Sequence, residues 1–202
     1  MADQRLHRNW SEIYETVSDH PWSGTDVVEK FWPDVESLNP QPRRVLDVGC
    51  GEGDKSRWFA EKGYEVIGID FAPEAIATAT KFSEGLAIEY HQLDIADLTA
   101  LHLEPSSVGM VFDSGSSQFL PAEKQAVYFD CLATLLSDRG CLLYQALEAT
   151  GPEAPSWLHT LGITRARFAE LNDERFKPVV PIDRPSRNLV DVTIFGGLFG
   201  RI

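Results

Sequence analysis

The densest chemistry in this chain lies between Val45 and Asp54. Val45-Leu46-Asp47-Val48 reads as an apolar strand, and Gly49-Cys50-Gly51-Glu52-Gly53-Asp54 reads as a glycine-rich turn leading into a helix. Such a turn cradles a ligand, because glycine bends tightly and brings bare backbone N–H groups up to it. A dinucleotide fingerprint spaces its glycines G-x-G-x-x-G, and here the third glycine comes one residue early. Asp47, Glu52 and Asp54 would repel phosphates but suit a ligand bearing an amine and a sulfonium. The pattern therefore speaks against NAD.

Further carboxylates follow at strand ends. Tyr64 to Asp70 forms a second strand, its acid 21 residues after Gly49 and able to hold two ribose hydroxyls. Ala87 to Asp94 and Val108 to Asp113 are a third and a fourth strand, each again ending in an acid. In an open parallel α/β sheet ligands sit beyond the carboxyl ends of the strands, so Gly49, Asp70, Asp94 and Asp113 should converge on one crevice.

These motifs, LDVGCGEGDKS followed by VIGID and then the acids at 94 and 113, resemble the successive motifs of class I S-adenosylmethionine-dependent methyltransferases. The resemblance covers most of the chain. It implies S-adenosyl-L-methionine as cofactor and S-adenosyl-L-homocysteine as product. It assigns Gly49 and Gly51 to backbone contact with the methionine portion, with Cys50 between them as a small residue that fits the turn. Asp70 falls to the ribose hydroxyls, Phe71 to stacking on adenine, and Asp94 with Ile95 to the adenine edge. Asp47 would orient the turn or the cofactor amine, and Asp113 would lie beside the transferring methyl as a positioning group. Each has a plainer competitor: Asp47 as a buried loop anchor, Asp70 as a helix cap before Pro73, Asp94 as a cap for residues 96–101, Phe71 as core.

Composition narrows the partners. A formal net charge of −13 and a pI near 4.7 oppose binding to a phosphate backbone. No apolar run approaches the roughly 20 residues needed to span a bilayer, and Met1 to Asn9 lacks the apolar core of a secretion signal. The expectation is a cytoplasmic protein acting on a small molecule, with no nucleic acid or membrane partner; its oligomeric state is unreadable. Cysteines at 50, 131 and 141 make neither a disulfide framework nor a paired zinc motif, and the five histidines show no ligand spacing, so no metal is expected.

Regular alternation of strand and helix patterns from residue 44 to about 146 predicts an α/β fold: a Rossmann-like, doubly wound, mostly parallel sheet with helices on both faces. Helices are expected near 54–63, 73–83 and 121–137, the last opening after Pro121. Asp138-Arg139-Gly140 reads as the turn before a fifth strand, 141–146, and residues 148–155 as a loop. A short helix from Thr164 precedes strands over 175–182 and 188–199, separated by Arg184 to Arg187. By the resemblance this hairpin completes a seven-stranded sheet antiparallel. Residues 41–202 make one domain and residues 1–40 a helical leader.

That leader is dense in rings: Trp10, Tyr14, Trp22, Phe31 and Trp32. Its W-x-x-x-Y and P-W elements resemble the thiol methyltransferase-like branch, in which such a segment folds over the cofactor as a lid. Trp22 would then shield the sulfonium by a cation–π contact, against the alternative that all these rings pack on the core. Residues 112–121 resemble the same branch but carry Ser117-Gln118 where a histidine could serve as base. An acceptor that is already anionic, as a thiolate is, needs none. Methyl transfer by in-line displacement calls mainly for alignment, which supplies about 7–11 kcal/mol of the barrier. The sequence thus points to methylation of a small neutral or cationic molecule at sulfur. The alternatives are O- or N-methylation, another transferase on the same fold, and a protein that binds the cofactor without turnover.

Overall fold

The computed structural model describes residues 10, 12, 14, 23–154, 163–172, 175–186 and 189–201. Its elements are α1 (Asp26–Leu38), β1 (Arg44–Val48), α2 (Asp54–Glu61), β2 (Glu65–Asp70), α3 (Pro73–Phe82), β3 (Ile88–Gln92), β4 (Val108–Ser114), α4 (Ala122–Leu135), β5 (Leu136–Ala149), α5 (Arg165–Asn172), β6 (Phe176–Pro185) and β7 (Val192–Arg201). Short 3-10 turns cover Ile95–Leu101 and Ser117–Phe119. The seven strands form one sheet in the order β3-β2-β1-β4-β5-β7-β6. All neighbours from β3 to β5 are parallel, whereas β7 pairs antiparallel with both β5 and β6.

The central strands read as near-continuous apolar runs because helices cover both their faces. On one face Leu46, Val111, Leu142 and Tyr144 pack with Phe129 and Leu132 of α4 and Phe168 of α5. Tyr144 stacks on Phe168 at 4.2 Å between centroids. On the other face Val45, Val66, Phe112 and Leu143 pack with Phe59 of α2 and with Val28, Phe31, Trp32 and Val35 of α1. Those four residues recur at helical spacing, which is why α1 forms and lies where it does. Trp32 meets Trp58 edge-on at 4.7 Å and Tyr64 at 5.7 Å, so the C-terminal half of the expected leader belongs to the core.

Three expectations at element ends are corrected. β5 follows α4 directly from Leu136, and Asp138-Arg139-Gly140 is no separate turn. The register jumps from Val108↔Leu136 to Met110↔Cys141, so the extra residues form an outward excursion within the strand. At its far end β5 runs on to Ala149, held by nine residue pairs along β7, which takes Glu148 and Ala149 out of the expected loop. Arg184 and Pro185 likewise belong to β6, pairing with Ile194 and Thr193. At Glu148-Ala149 and Arg184-Pro185, turn-forming residue types yielded to ladder bonds with a neighbour distant in sequence.

Candidate functional site

β1 sits between β2 and β4, and the strand order reverses there, so the crevice beyond the carboxyl end of β1 is the place where this architecture binds ligands. The glycine turn occupies it. Gly49 and Gly51 have φ of +67° and +54°, left-handed conformations that other residues adopt only at a cost. A Cβ on Gly49 would lie 1.8 Å from Ser116 Oγ, and one on Gly51 would lie 2.9 Å from the Tyr14 hydroxyl. The turn is thus wedged between the loop after β4 and the leader.

Four carboxylates surround or underlie it. Asp47, on β1, is buried and accepts from Ser56 Oγ of α2 at 2.5 Å. Burial pushes its pKa up to about 6, with the Ser56 bond and the nearby Lys55 charge opposing the rise. Lys55, beneath the turn, is lowered by its own burial. Asp70, at the end of β2, accepts from Gly51 N at 3.0 Å on one oxygen and from Ala72 N at 2.9 Å on the other. It therefore ties the glycine turn to the entry of α3. Burial raises its pKa, while those backbone donors pull the other way. The carboxylate oxygens that accept these bonds have further lone-pair directions, so a bound ligand can share them.

Asp94 caps the 3-10 turn, accepting from Ala96 N at 2.9 Å, and Ile95 beside it is half-buried against the core. Phe71, also half-buried, follows Asp70. Cys50 is buried, with its sulfur 3.2 Å from the place a Cβ on Gly68 would take, and burial pushes its thiol well above the usual range. This thiol fills space beneath the turn. Trp22 lies outside the described residues.

Asp113 is placed differently from its neighbours. It is fully buried on the α4 side of the sheet, accepting from Tyr128 OH at 2.9 Å and from Ser116 N and Ser117 N at 3.1 and 3.3 Å. Burial raises the pKa of both Asp113 and Tyr128. The carboxylate thus faces inward and fixes the loop that carries Ser116. Ser116 Oγ in turn donates to Val48 O at 3.0 Å. Gln118 is buried as well, with its carbonyl accepting from Leu147 N at 2.9 Å. Sequence reasoning missed Ser116 and Tyr128, and marked Gln118 only as standing where a base could be. A serine after Ser114-Gly115 and a tyrosine in an apolar helix carry no signal of their own, since their roles arise from contacts across the sheet.

The leader reaches the site through its first rings. Trp10 meets Phe119 edge-on at 5.4 Å and lies 6.4 Å from Tyr14, whose hydroxyl lies over Gly51. Trp10 and Tyr14 therefore border the crevice, whereas Phe31 and Trp32 do not. Among the described residues no group of three or more His, Cys, Asp or Glu is placed to hold a metal. No helix among them is long and apolar enough to cross a membrane.

Known proteins resemble this chain in sequence and in fold. Residues 45–140 match the family described as "Methyltransferase domain". The chain is 42% identical over 89 residues to the ubiquinone biosynthesis O-methyltransferase of Pseudomonas fluorescens, covering 43% of this chain and 37% of that protein. It is 29% identical over 111 residues to the 2-heptyl-1-hydroxyquinolin-4(1H)-one methyltransferase of Mycobacteroides abscessus, covering 54% and 47%. The chain thus spans about half the length, or less, of these curated relatives. In fold it is similar to the Burkholderia thailandensis 1,6-didemethyltoxoflavin-N1-methyltransferase, whose structure holds 1,6-didemethyltoxoflavin and S-adenosylhomocysteine. That likeness has a TM-score of 0.72 at 17% identity and covers 98% of this chain and 88% of the other.

Proposed function

We propose that this chain, which carries a class I S-adenosylmethionine-dependent methyltransferase domain, transfers a methyl group from S-adenosylmethionine to a small molecule by in-line displacement. The observation that carries the reading is the glycine turn at the switch point, its backbone held by Asp70 and packed against Ser116, with the acids Asp47, Glu52 and Asp54 where a pyrophosphate would be repelled. In this reading Gly49 and Gly51 take the methionine portion through their backbones, Asp70 the ribose hydroxyls, Phe71 the adenine face, and Asp94 and Ile95 the adenine edge. Cys50 and Asp47 support the turn from below, Asp47 through Ser56. Trp22 is assigned to the sulfonium of the cofactor. Asp113 is a positioning residue that holds residues 114–119 against the donor; its buried carboxylate acts through Ser116 and Ser117.

The acceptor is proposed to be a small thiol. Supporting this, the loop after β4 offers no general base: Ser117 and Gln118 are buried and Asp113 is engaged with three donors. A thiolate, or a hydroxyl acidified by its own ring, attacks a sulfonium without one. The relatives named as O-methyltransferases favour oxygen as the second candidate.

Calorimetric titration with S-adenosylmethionine and, in parallel, NAD tests the cradle. Micromolar binding of the sulfonium cofactor alone supports it, and binding of NAD instead would overturn it. A panel of small thiols and phenols then tests the acceptor, and methylation only of protein or nucleic acid would sink the small-molecule reading.

A further inference from the structure

Two rows of side chains that cross the sheet beside the glycine turn hold two buried polar atoms with no partner. Register places Ser114, the last residue of β4, beside Gln145 of β5, then Gly196 of β7, then Ile182 of β6. The next row outward is Leu147, Ile194 and Arg184. Residues directly opposite in a ladder share a face. Ile182 and Ile194 pack in the cluster of α1, so Gln145 and Arg184 belong to that face, opposite Tyr144 and Asp113.

Gln145 donates from Nε2 to Ser114 Oγ at 2.6 Å, but its Oε1 is buried and accepts nothing. The Nε of Arg184 is buried and donates to nothing. The other half-buried arginines among the described residues all have partners. Arg165 bonds Glu148 and Asp183, Arg167 bonds Glu170, Arg175 bonds Asp130, and Arg57 bonds Asp54. Arg184 stands apart from them. The buried Nε–H of Arg184 with no acceptor, and the buried amide oxygen of Gln145 with no donor, each forgo hydration without compensation. Two such groups on one face, with backbones roughly 12 Å apart across the intervening strand and long side chains on both, lie within mutual reach of a small ligand. On β7 between them, Gly196 puts no side chain beside Gln145, and Ile194 stands beside Arg184.

We propose that Arg184 and Gln145 recognise the methyl acceptor, and that the acceptor is a small monocarboxylic acid. The inference rests on the methyl-transfer reading above. The guanidinium fork pairs with two carboxylate oxygens, and Gln145 Oε1 takes an N–H or O–H of the same molecule. The two rows carry no second cation, so one negative charge is balanced and a dianionic phosphate is not. The overall charge of −13 does not oppose this. Surface charges beyond about 8–10 Å are largely screened at physiological salt, and a contact pair outweighs them. The expectation of a neutral or cationic acceptor, drawn from the overall charge, therefore gives way to the local one.

The test uses the full chain saturated with S-adenosylhomocysteine and two matched probe pairs, mercaptoacetate with mercaptoacetamide and benzoate with benzamide. The acid of at least one pair is expected to raise the Tm where its amide does not. Arg184→Gln is expected to weaken that acid about 10- to 100-fold while leaving S-adenosylhomocysteine affinity unchanged, which also shows that the variant is folded. Acids no more stabilising than their amides would overturn the proposal, as would an Arg184→Gln protein that binds the acid like the parent. Failure of S-adenosylhomocysteine itself to bind would bring down the methyl-transfer reading and this proposal with it.

Discussion

The hydroxyl of Ser116 fills the space that a side chain on Gly49 would need. A Cβ there would lie 1.8 Å from Ser116 Oγ and 2.7 Å from Ser116 Cβ, and the same hydroxyl is bonded to Val48 O. Two loops that leave adjacent strands are thereby interlocked, and Asp113 holds one of them from below.

Gly49→Ala should therefore suffer two separate costs, the collision with Ser116 and a left-handed backbone worth about 1–2 kcal/mol. Thermal unfolding should shift down and S-adenosylmethionine binding should be lost. The double variant Gly49→Ala with Ser116→Gly removes the collision but keeps the backbone strain, so it should recover only part of the Tm. Unchanged cofactor affinity in Gly49→Ala would show that the turn is not the cradle.

Asp70→Ala removes the acceptor for both Gly51 N and Ala72 N. Two buried donors are left bare and, in the proposed complex, the ribose loses its carboxylate. Cofactor affinity should fall by about 1.5–3 kcal/mol, read by calorimetry. A protein that binds as before would take Asp70 out of the site.

Much of this arrangement was legible because it is local or periodic. The strand ending in Asp47-Val48, the glycine turn, and Pro73 opening α3 all announce themselves within a few residues, and the structure keeps them. Asp113 shows where such reading stops. Its place at the end of β4 was visible, but the direction of its carboxylate depends on Tyr128, fifteen positions on, whose hydroxyl meets it only once α4 has packed on the sheet. Leu136 to Gly140 failed for a related reason: Asp-Arg-Gly chemistry favours a turn, whereas the pairing of Leu136 with Val108 starts the strand early and leaves those residues as an excursion within it. Arg184 looked like a turn residue until β7 was seen beside it. In the leader, the apolar spacing of Val28, Phe31, Trp32 and Val35 could have marked its two rings as core, whereas the place of Trp10 depends on Phe119, which is distant in sequence.

Asp47 should leave a signature in stability against pH. Its folded pKa of about 6 stands above the ordinary 3.8 because burial disfavours the charge. The folded state therefore binds the proton more tightly than the unfolded chain. This contribution is fully present below about pH 4 and is lost as pH rises through about 6, amounting to about 3 kcal/mol. Asp47→Asn, which can still accept from Ser56, should lack this component. The gap between the two proteins in denaturant unfolding should widen in favour of the variant from pH 4 to pH 7. A constant gap across that range would show that Asp47 is already ionised at low pH.

Trp10 should control how long the cofactor stays. Its edge-on contact with Phe119 joins the leader to the loop after β4, and an aromatic pair of this kind is worth about 0.5–1.5 kcal/mol beyond its buried area. If the leader covers the crevice, Trp10→Ala should speed S-adenosylmethionine dissociation about two- to tenfold in stopped-flow fluorescence with little change in Tm. Phe31→Ala makes the contrasting control, because Phe31 is buried in the α1 core and its loss should lower stability by about 3–5 kcal/mol. Were Trp10→Ala to lower the Tm as Phe31→Ala does while leaving dissociation unchanged, Trp10 would be a packing residue and the leader would not act as a lid.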